Sequence, residues 1–163
     1  EKNWDSCANY LVERMTRVFE FLKLLTNNTY EYVGLVSTIL YDEVDENGAK
    51  KLSHSLLRSD KINNIHDINI KYTFVENRNI FVNIMLQNAR LFKEDVDVNE
   101  AGALSLKEQI AESIGATIDI NDRYGFNTDP NYKSSSNMLN ELIRYMGDII
   151  DNKLKILIEK GEY

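Results

Sequence analysis

The chain has 163 residues, of which 43% are apolar and 28% charged, and its formal net charge is −7. That length and balance fit one folded domain, 1–163, with a proper core, and argue against global disorder. The negative charge, with no long Lys/Arg run to offset it, argues against binding nucleic acid or anionic lipid, and no apolar run reaches the ~18 residues of a membrane span.

In chain order, Trp4, Ala8, Leu11, Val12, Met15, Val18, Phe19, Leu22 and Leu25 recur at three and four residues. This predicts an amphipathic first helix with a face wide enough to lie on a sheet. Cys7, the single cysteine, rules out an internal disulfide. It is expected as a partly buried thiol, and it points to a reducing, cytoplasmic setting. "NNT" at Asn27–Thr29 has the form of a glycosylation sequon, read here as a chance match. The first residue is Glu1, which fits a processed product or a piece of a longer chain.

"YEYVGLVSTILY", Tyr30–Tyr41, is β-branched and aromatic on both alternating faces and predicts a long central strand covered at least in part on both sides. Gly34 within it marks a bulge or a close approach by a helix. Asp45 is the expected N-cap of a short helix, Glu46–Arg58, with Ala49, Leu52 and Leu56 inward. Next comes the clearest unit. Ile68, Ile70, Tyr72 and Phe74 alternate with polar residues, "ENRN" turns the chain, and Ile80, Val82, Ile84 and Leu86 alternate again. This is an antiparallel hairpin.

Lys93–Gly102 is acidic and aperiodic and reads as a surface loop. A short helix is expected over about Ser105–Ser113, with Ser105 and Glu108 at capping-box spacing and Gly115 as its stop. "ATIDI" then gives a short strand, and "NDRYGFNTDPN" reads as turn chemistry. The last element is a long helix, about Ser135–Glu159, capped from the Ser134–Ser136 cluster. Leu139, Leu142, Ile143, Met146, Ile149, Ile150, Leu154 and Leu157 form its stripe, with Ile156 and Ile158 outside it.

Several chemistries fail on spacing. A calcium loop begun at Asp119 puts Arg123 at position five and the glycine at seven. One begun at Glu43 ends on His54 rather than Glu, with Lys50 and Lys51 inside. His54 and His66, the two histidines, are not a zinc pair on one helix face. A metal nuclease would want an acid where Asn69 precedes Lys71. Ser elbows and glycine-rich phosphate loops do not occur. No cofactor, metal ligand or catalytic residue is assigned. The frequent tyrosines, nine in all, suit a sheet that packs or meets a partner.

The order of elements resembles an uncharacterised, sporadically distributed bacterial family. Its members carry a Gly-Leu-Arg-Tyr-x-Asn strand, a hairpin, an Asp-Ile-Asp strand and a long helix near the C-terminus. Here "VGLVSTI" supplies Gly34 and Leu35, with Val36, Ser37 and Ile39 at the Arg, Tyr and Asn positions. "IDIN" supplies Asp119 and Ile120 with Asn121 for the second Asp, and "LNELIRYMGDIID" is similar to the final helix. The resemblance implies no activity.

The expected fold is α+β, a mostly antiparallel sheet of about four strands with the first and last helices on one face. The expected function is a non-enzymatic interaction or regulatory protein that binds a protein partner or itself. A metal-dependent hydrolase using Asp and Glu, or a holdase-type chaperone, is the alternative. Phe81 and Met85 on the hairpin's second face, with Ile156 and Ile158 on the last helix, are the candidate interaction surface. The expected assembly is a homo-oligomer, unless the two short helices cover that face.

Overall fold

A computed structural model describes residues 3–26, 29–41, 48–57, 65–92, 96–98, 104–106 and 109–163. The expected cap at Asp45, the sequon's Asn27, the capping-box Glu108 and the first calcium-loop ligands lie outside them. The chain runs α1 (Trp4–Thr26), β1 (Thr29–Tyr30), β2 (Gly34–Tyr41), α2 (Gly48–Leu57), β3 (Asn69–Glu76) and β4 (Ile80–Phe92). It continues through β5 (Val96–Val98), β6 (Leu104–Leu106), β7 (Gln109–Asn121), α3 (Arg123–Thr128) and β8 (Ser134–Ser135). A final long helix comprises α4 (Ser136–Asp148), a π-helical stretch (Ile149–Lys153) and α5 (Leu154–Lys160).

The fold is α+β, as the sequence predicts. The main sheet has four antiparallel strands in the order β2-β7-β4-β3. The antiparallel hairpin is present, and its register sets Ile70 opposite Leu86, Tyr72 opposite Ile84 and Phe74 opposite Val82. Asn77 and Arg78 turn it with positive φ (50° and 65°), and Asn79 N–H bonds back to Glu76 O at 3.2 Å. Both residues share the left-handed backbone that fits the twist of a tight hairpin.

Three sequence expectations change. The described residues of the expected helix at 105–113 are strand: 105–106 end β6 and 109–113 begin β7. β7 is one continuous 13-residue strand with Gly115 in its middle. Its buried residues Ile114, Ala116, Ile118 and Ile120 have period two, and pairing along β4 outweighs the helical spacing of the preceding segment. Second, the acidic stretch before it holds β5, which pairs antiparallel with β6. Third, β2 is an edge strand, not a central one. Only its Leu35, Ser37, Ile39 and Tyr41 face points toward the helices, while Val36 and Leu40 are exposed. Gly34 marks neither a bulge nor an approaching helix: it pairs in register with Asn121 of β7, whose Cβ would lie 3.3 Å from a Cβ added there.

The helices cover one side of the sheet. Val82, Ile84 and Leu86 of β4 and Ile114, Ala116, Ile118 and Ile120 of β7 pack there with Leu142, Met146, Ile149 and Leu157 of the last helix, all essentially solvent-free. Each fully buried aliphatic side chain contributes roughly 1.5–3 kcal/mol. α2 lies beside α5 and adds Ala49 and Leu52 to the same core. Gly161 (φ 69°) closes α5 with its N–H on Leu157 O at 3.0 Å.

α1 lies against α4 more than against the sheet. Its contact line is therefore narrow: Trp4, Ala8, Leu11, Met15 and Phe19. Val12, Val18 and Leu25, expected inward, are exposed, and Cys7 is an exposed thiol rather than a partly buried one. The seam is tight at Gly147, where an added Cβ would lie 2.7 Å from Trp4 Nε1. Gly147→Ala is expected to displace the indole at a cost of about 1–3 kcal/mol. Trp4 is the only tryptophan, so its emission should shift to the red while far-UV circular dichroism stays helical. An unchanged emission maximum would show that α1 is not seated on α4.

Candidate functional site

The side of the main sheet opposite the helices is a regular grid of side chains, fixed by the period-two alternation of each strand and the strand register. Its four cross-strand rows are Gly34–Asn121–Phe81–Val75, Val36–Asp119–Asn83–Thr73, Thr38–Thr117–Met85–Lys71 and Leu40–Gly115–Gln87–Asn69. A strip through this grid is hydrogen-bonded within itself. Thr73 Oγ1 donates to Asn83 Oδ1 (2.9 Å), and Asn83 Nδ2 donates to Asp119 Oδ2 (3.3 Å). Asn121 Nδ2 donates to Asp119 Oδ1 (2.9 Å). Both oxygens of Asp119, the sole carboxylate in the grid, are thus engaged by neighbouring amides.

α3 rises at one end of this face. Tyr124 meets Phe81 edge to face, with ring centroids 5.1 Å apart, and the Arg123 guanidinium lies over the Tyr32 ring at 5.6 Å. Together with the sheet, α3 encloses a shallow cavity of about 290 Å³, lined by Thr73, Phe81, Asn83, Asp119, Asn121 and Arg123 among others. This explains "TIDINDRYGFNTDP". Its first half is strand, as expected, but Arg123–Thr128 forms a short helix rather than a simple turn.

Asp122 holds α3 in place. It is fully buried and does not cap the helix with its side chain. Its Oδ1 instead accepts the Val33 N–H at 2.6 Å, and its Oδ2 accepts the Tyr132 hydroxyl at 2.8 Å. One carboxylate thus ties the start of α3 to Val33, far back in the chain, and to Tyr132, just past the helix's end. Burial, then the bond to Asp122, pushes the Tyr132 hydroxyl well above the ordinary tyrosine range. Burial likewise raises Tyr145, with help from Tyr163 and Glu76.

A second polar cluster sits on the helical side. Glu112 Oε1 accepts the Ala49 N–H at the start of α2 (3.3 Å) and Asn88 Nδ2 (3.4 Å), while Oε2 lies 3.8 Å from Arg90 Nε. Arg90 also donates to His66 Nε2 at 2.9 Å. Asn88, itself buried, accepts the Ile68 N–H at 2.9 Å. These groups join α2, β3, β4 and β7. Each is engaged by another protein group, so the cluster is structural. His54 is exposed on α2. Among the described residues, no three His, Cys, Asp or Glu side chains gather where they could hold a metal ion.

The four expected contact residues do not form one surface. Phe81 and Met85 are half-buried on the open face. Ile156 is exposed (41%), but on the helical side. Ile158 is wholly buried and is corrected to a core residue. The π-helical turn at 149–153 inserts an extra residue into the helical phase and rotates the last turns of the helix, which brings Ile158 inward. The sequence reading missed Val36 (63% exposed), Leu40 (47%) and Val75 on the open face. No periodicity could have found Val36 and Leu40, because their strand is apolar on both faces.

Compared with protein-family models, curated proteins and solved structures, the chain finds no match.

Two outcomes are expected here. Asp122→Ala leaves the Val33 N–H and the Tyr132 hydroxyl unpaired in the interior, and should cost about 2–4 kcal/mol in urea unfolding. A loss under about 0.5 kcal/mol would deny the clamp its role. The second is a dependence on alkaline pH. Unfolded tyrosines ionise near pH 10, whereas the folded chain keeps Tyr132 and Tyr145 protonated to higher pH. Below about pH 10 both states hold these protons and they add no slope. Above it the unfolded state releases them first, so stability falls as pH rises. Melting temperatures followed upward from about pH 8 should show this fall. Tyr132→Phe and Tyr145→Phe should each flatten it.

Proposed function

We infer that the protein is a non-enzymatic interaction or regulatory protein that works by self-association, with the uncovered side of its sheet as the contact side. The observation that supports this reading is the grid itself. Val36, Leu40 and Val75 stand exposed, and half-buried Phe81 and Met85 lie beside a hydrogen-bonded polar strip. Contiguous exposed apolar surface marks contact sites on folded domains, and Val36 and Leu40 stand on the same face of one edge strand. The polar strip is already ordered by its own bonds, so a partner meets a rigid surface and little side-chain entropy is lost on contact.

The two short helices invoked as an internal cover do not take that role. α2 packs on the helical side, and residues 109–121 are a strand. α3 shields only the Phe81 end. The runner-up, a metal-dependent hydrolase, would require several acids to converge, and on this face Asp119 stands alone among amides and hydroxyls.

Light scattering at micromolar concentration tests the proposal. A mass above the 18.9 kDa of one chain is expected. A mass that stays at 18.9 kDa on concentration would reject self-association.

A further inference from the structure

This inference rests on the self-association just proposed and concerns how it is made. We propose that two copies join edge to edge through β2, antiparallel about a twofold axis at Thr38. The two four-stranded sheets would then run as one of eight strands.

Three observations on β2 lead here. The first is the contrast between the two edges. An edge strand offers a row of unpaired N–H and C=O groups, and proteins guard such rows with charge, proline or a bulge. β3, at one edge, carries Lys71 and Glu76. β2, at the other, reads GLVSTILY: no charge, no proline, and no register break against β7. It is also the only strand of the main sheet without a charged residue, since β4 holds Arg90 and β7 holds Glu112 and Asp119. Two chains of net charge −7 repel over most of their surface. Along this strand, no side chain adds to the repulsion.

The second is register. Residues directly opposite in an antiparallel pair share a face. With the axis at Thr38, Thr38 meets its own copy and Val36 meets Leu40 of the second copy, twice over. The two exposed apolar side chains of β2 thereby cover each other, and a Thr–Thr pair is a favourable cross-strand pair. An axis at Ser37 would set Val36 against Thr38 and Leu40 against Gly34. An axis at Ile39 would carry Val36 past the end of β2. The strand is thus self-complementary in one register, as an isologous contact requires.

The third is space. β2 borders a groove of about 310 Å³, lined by Ser37, Thr38, Ile39 and Leu40 from both its faces together with Trp4, Cys7 and Ile150. In the Thr38 register the second copy's Ile39 stands opposite Ser37, beside this groove, and gains apolar neighbours there.

The test combines mass with register. Wild type at micromolar concentration should scatter as twice 18.9 kDa. Val36→Lys should return it to 18.9 kDa, with unchanged far-UV circular dichroism because the site is exposed. Adding Leu40→Glu to that variant should restore the dimer in a salt-sensitive manner, since the new ammonium and carboxylate oppose across the axis. In a Cys7→Ser background, Thr38→Cys should form an intermolecular disulfide on mild oxidation. Leu40→Cys should not, because its two copies lie about 13 Å apart along the strands.

A wild-type mass of 18.9 kDa would overturn this inference together with the self-association reading. A dimer that withstands Val36→Lys, gives no disulfide at Thr38→Cys and dissociates with Met85→Lys would overturn edge pairing alone. Association would then run through the flat of the sheet.

Discussion

The pairing of β4 with β7 is the constraint on which the rest of the structure depends. Each strand is 13 residues long, and they are joined from Phe81–Asn121 to Leu91–Ala111 before the register shifts at Phe92. Val82, Ile84 and Leu86 on one and Ile114, Ala116, Ile118 and Ile120 on the other put a solid apolar surface on a single side. A slip of one residue would turn that whole set toward water, so the register is strongly held. Once this surface exists, the last helix and α2 have one place to bury their own stripes. The opposite side, built from Asp119, Asn83, Thr117 and Gln87, has too little apolar area in its middle to attract a helix.

One-sided covering has a second consequence. The chain must secure the sheet's ends and edges without a second helical layer, and it does so with a few buried polar groups. Asp122 joins the start of α3 to Val33 and Tyr132. Asn88 and Glu112 join β3, β4, β7 and the start of α2. Such groups are costly to bury unless every partner is supplied, and apart from Tyr132 the partners here come from segments twenty or more residues away in sequence. They act as fasteners between elements rather than as reagents.

Function is argued from the groups this arrangement leaves unsatisfied. The helical side is closed, and the open face carries its own hydrogen bonds. Left over are the apolar rim at Val36, Leu40 and Val75, the outer backbone of β2, and the far end of α1, where Phe21, Leu24 and Leu25 are exposed. Of these, among the described residues, β2 combines apolar side chains with an edge position in the sheet on an uncharged stretch. An edge of that kind suits the addition of a further strand better than a helix or a small molecule.

The sequence by itself determined the elements whose pattern has a single reading. The hairpin 68–86 alternates cleanly and holds Asn and Arg where the turn needs positive φ. The stripe from Leu139 to Leu157 fits one helical face, and the overall α+β class follows from these. It also spoke against calcium and zinc loops, because ligand spacing is a local property. Tertiary structure decided the remainder, because those choices depend on neighbours remote in the chain. Residues 109–113 are strand because β4 lies alongside them, although Glu112 and Ser113 break their alternation. β2 is apolar on both faces, so only the strand order shows which face is covered and that the strand is an edge. Ile158 is core because five residues of π-helix shift the phase before it, and no spacing rule applied to an ideal helix anticipates that shift. The open face was half legible for the same reason. Phe81 and Met85 alternate visibly with the core residues of their own strand, whereas Val36 and Leu40 join them only through the pairing of β2 with β7 and of β7 with β4.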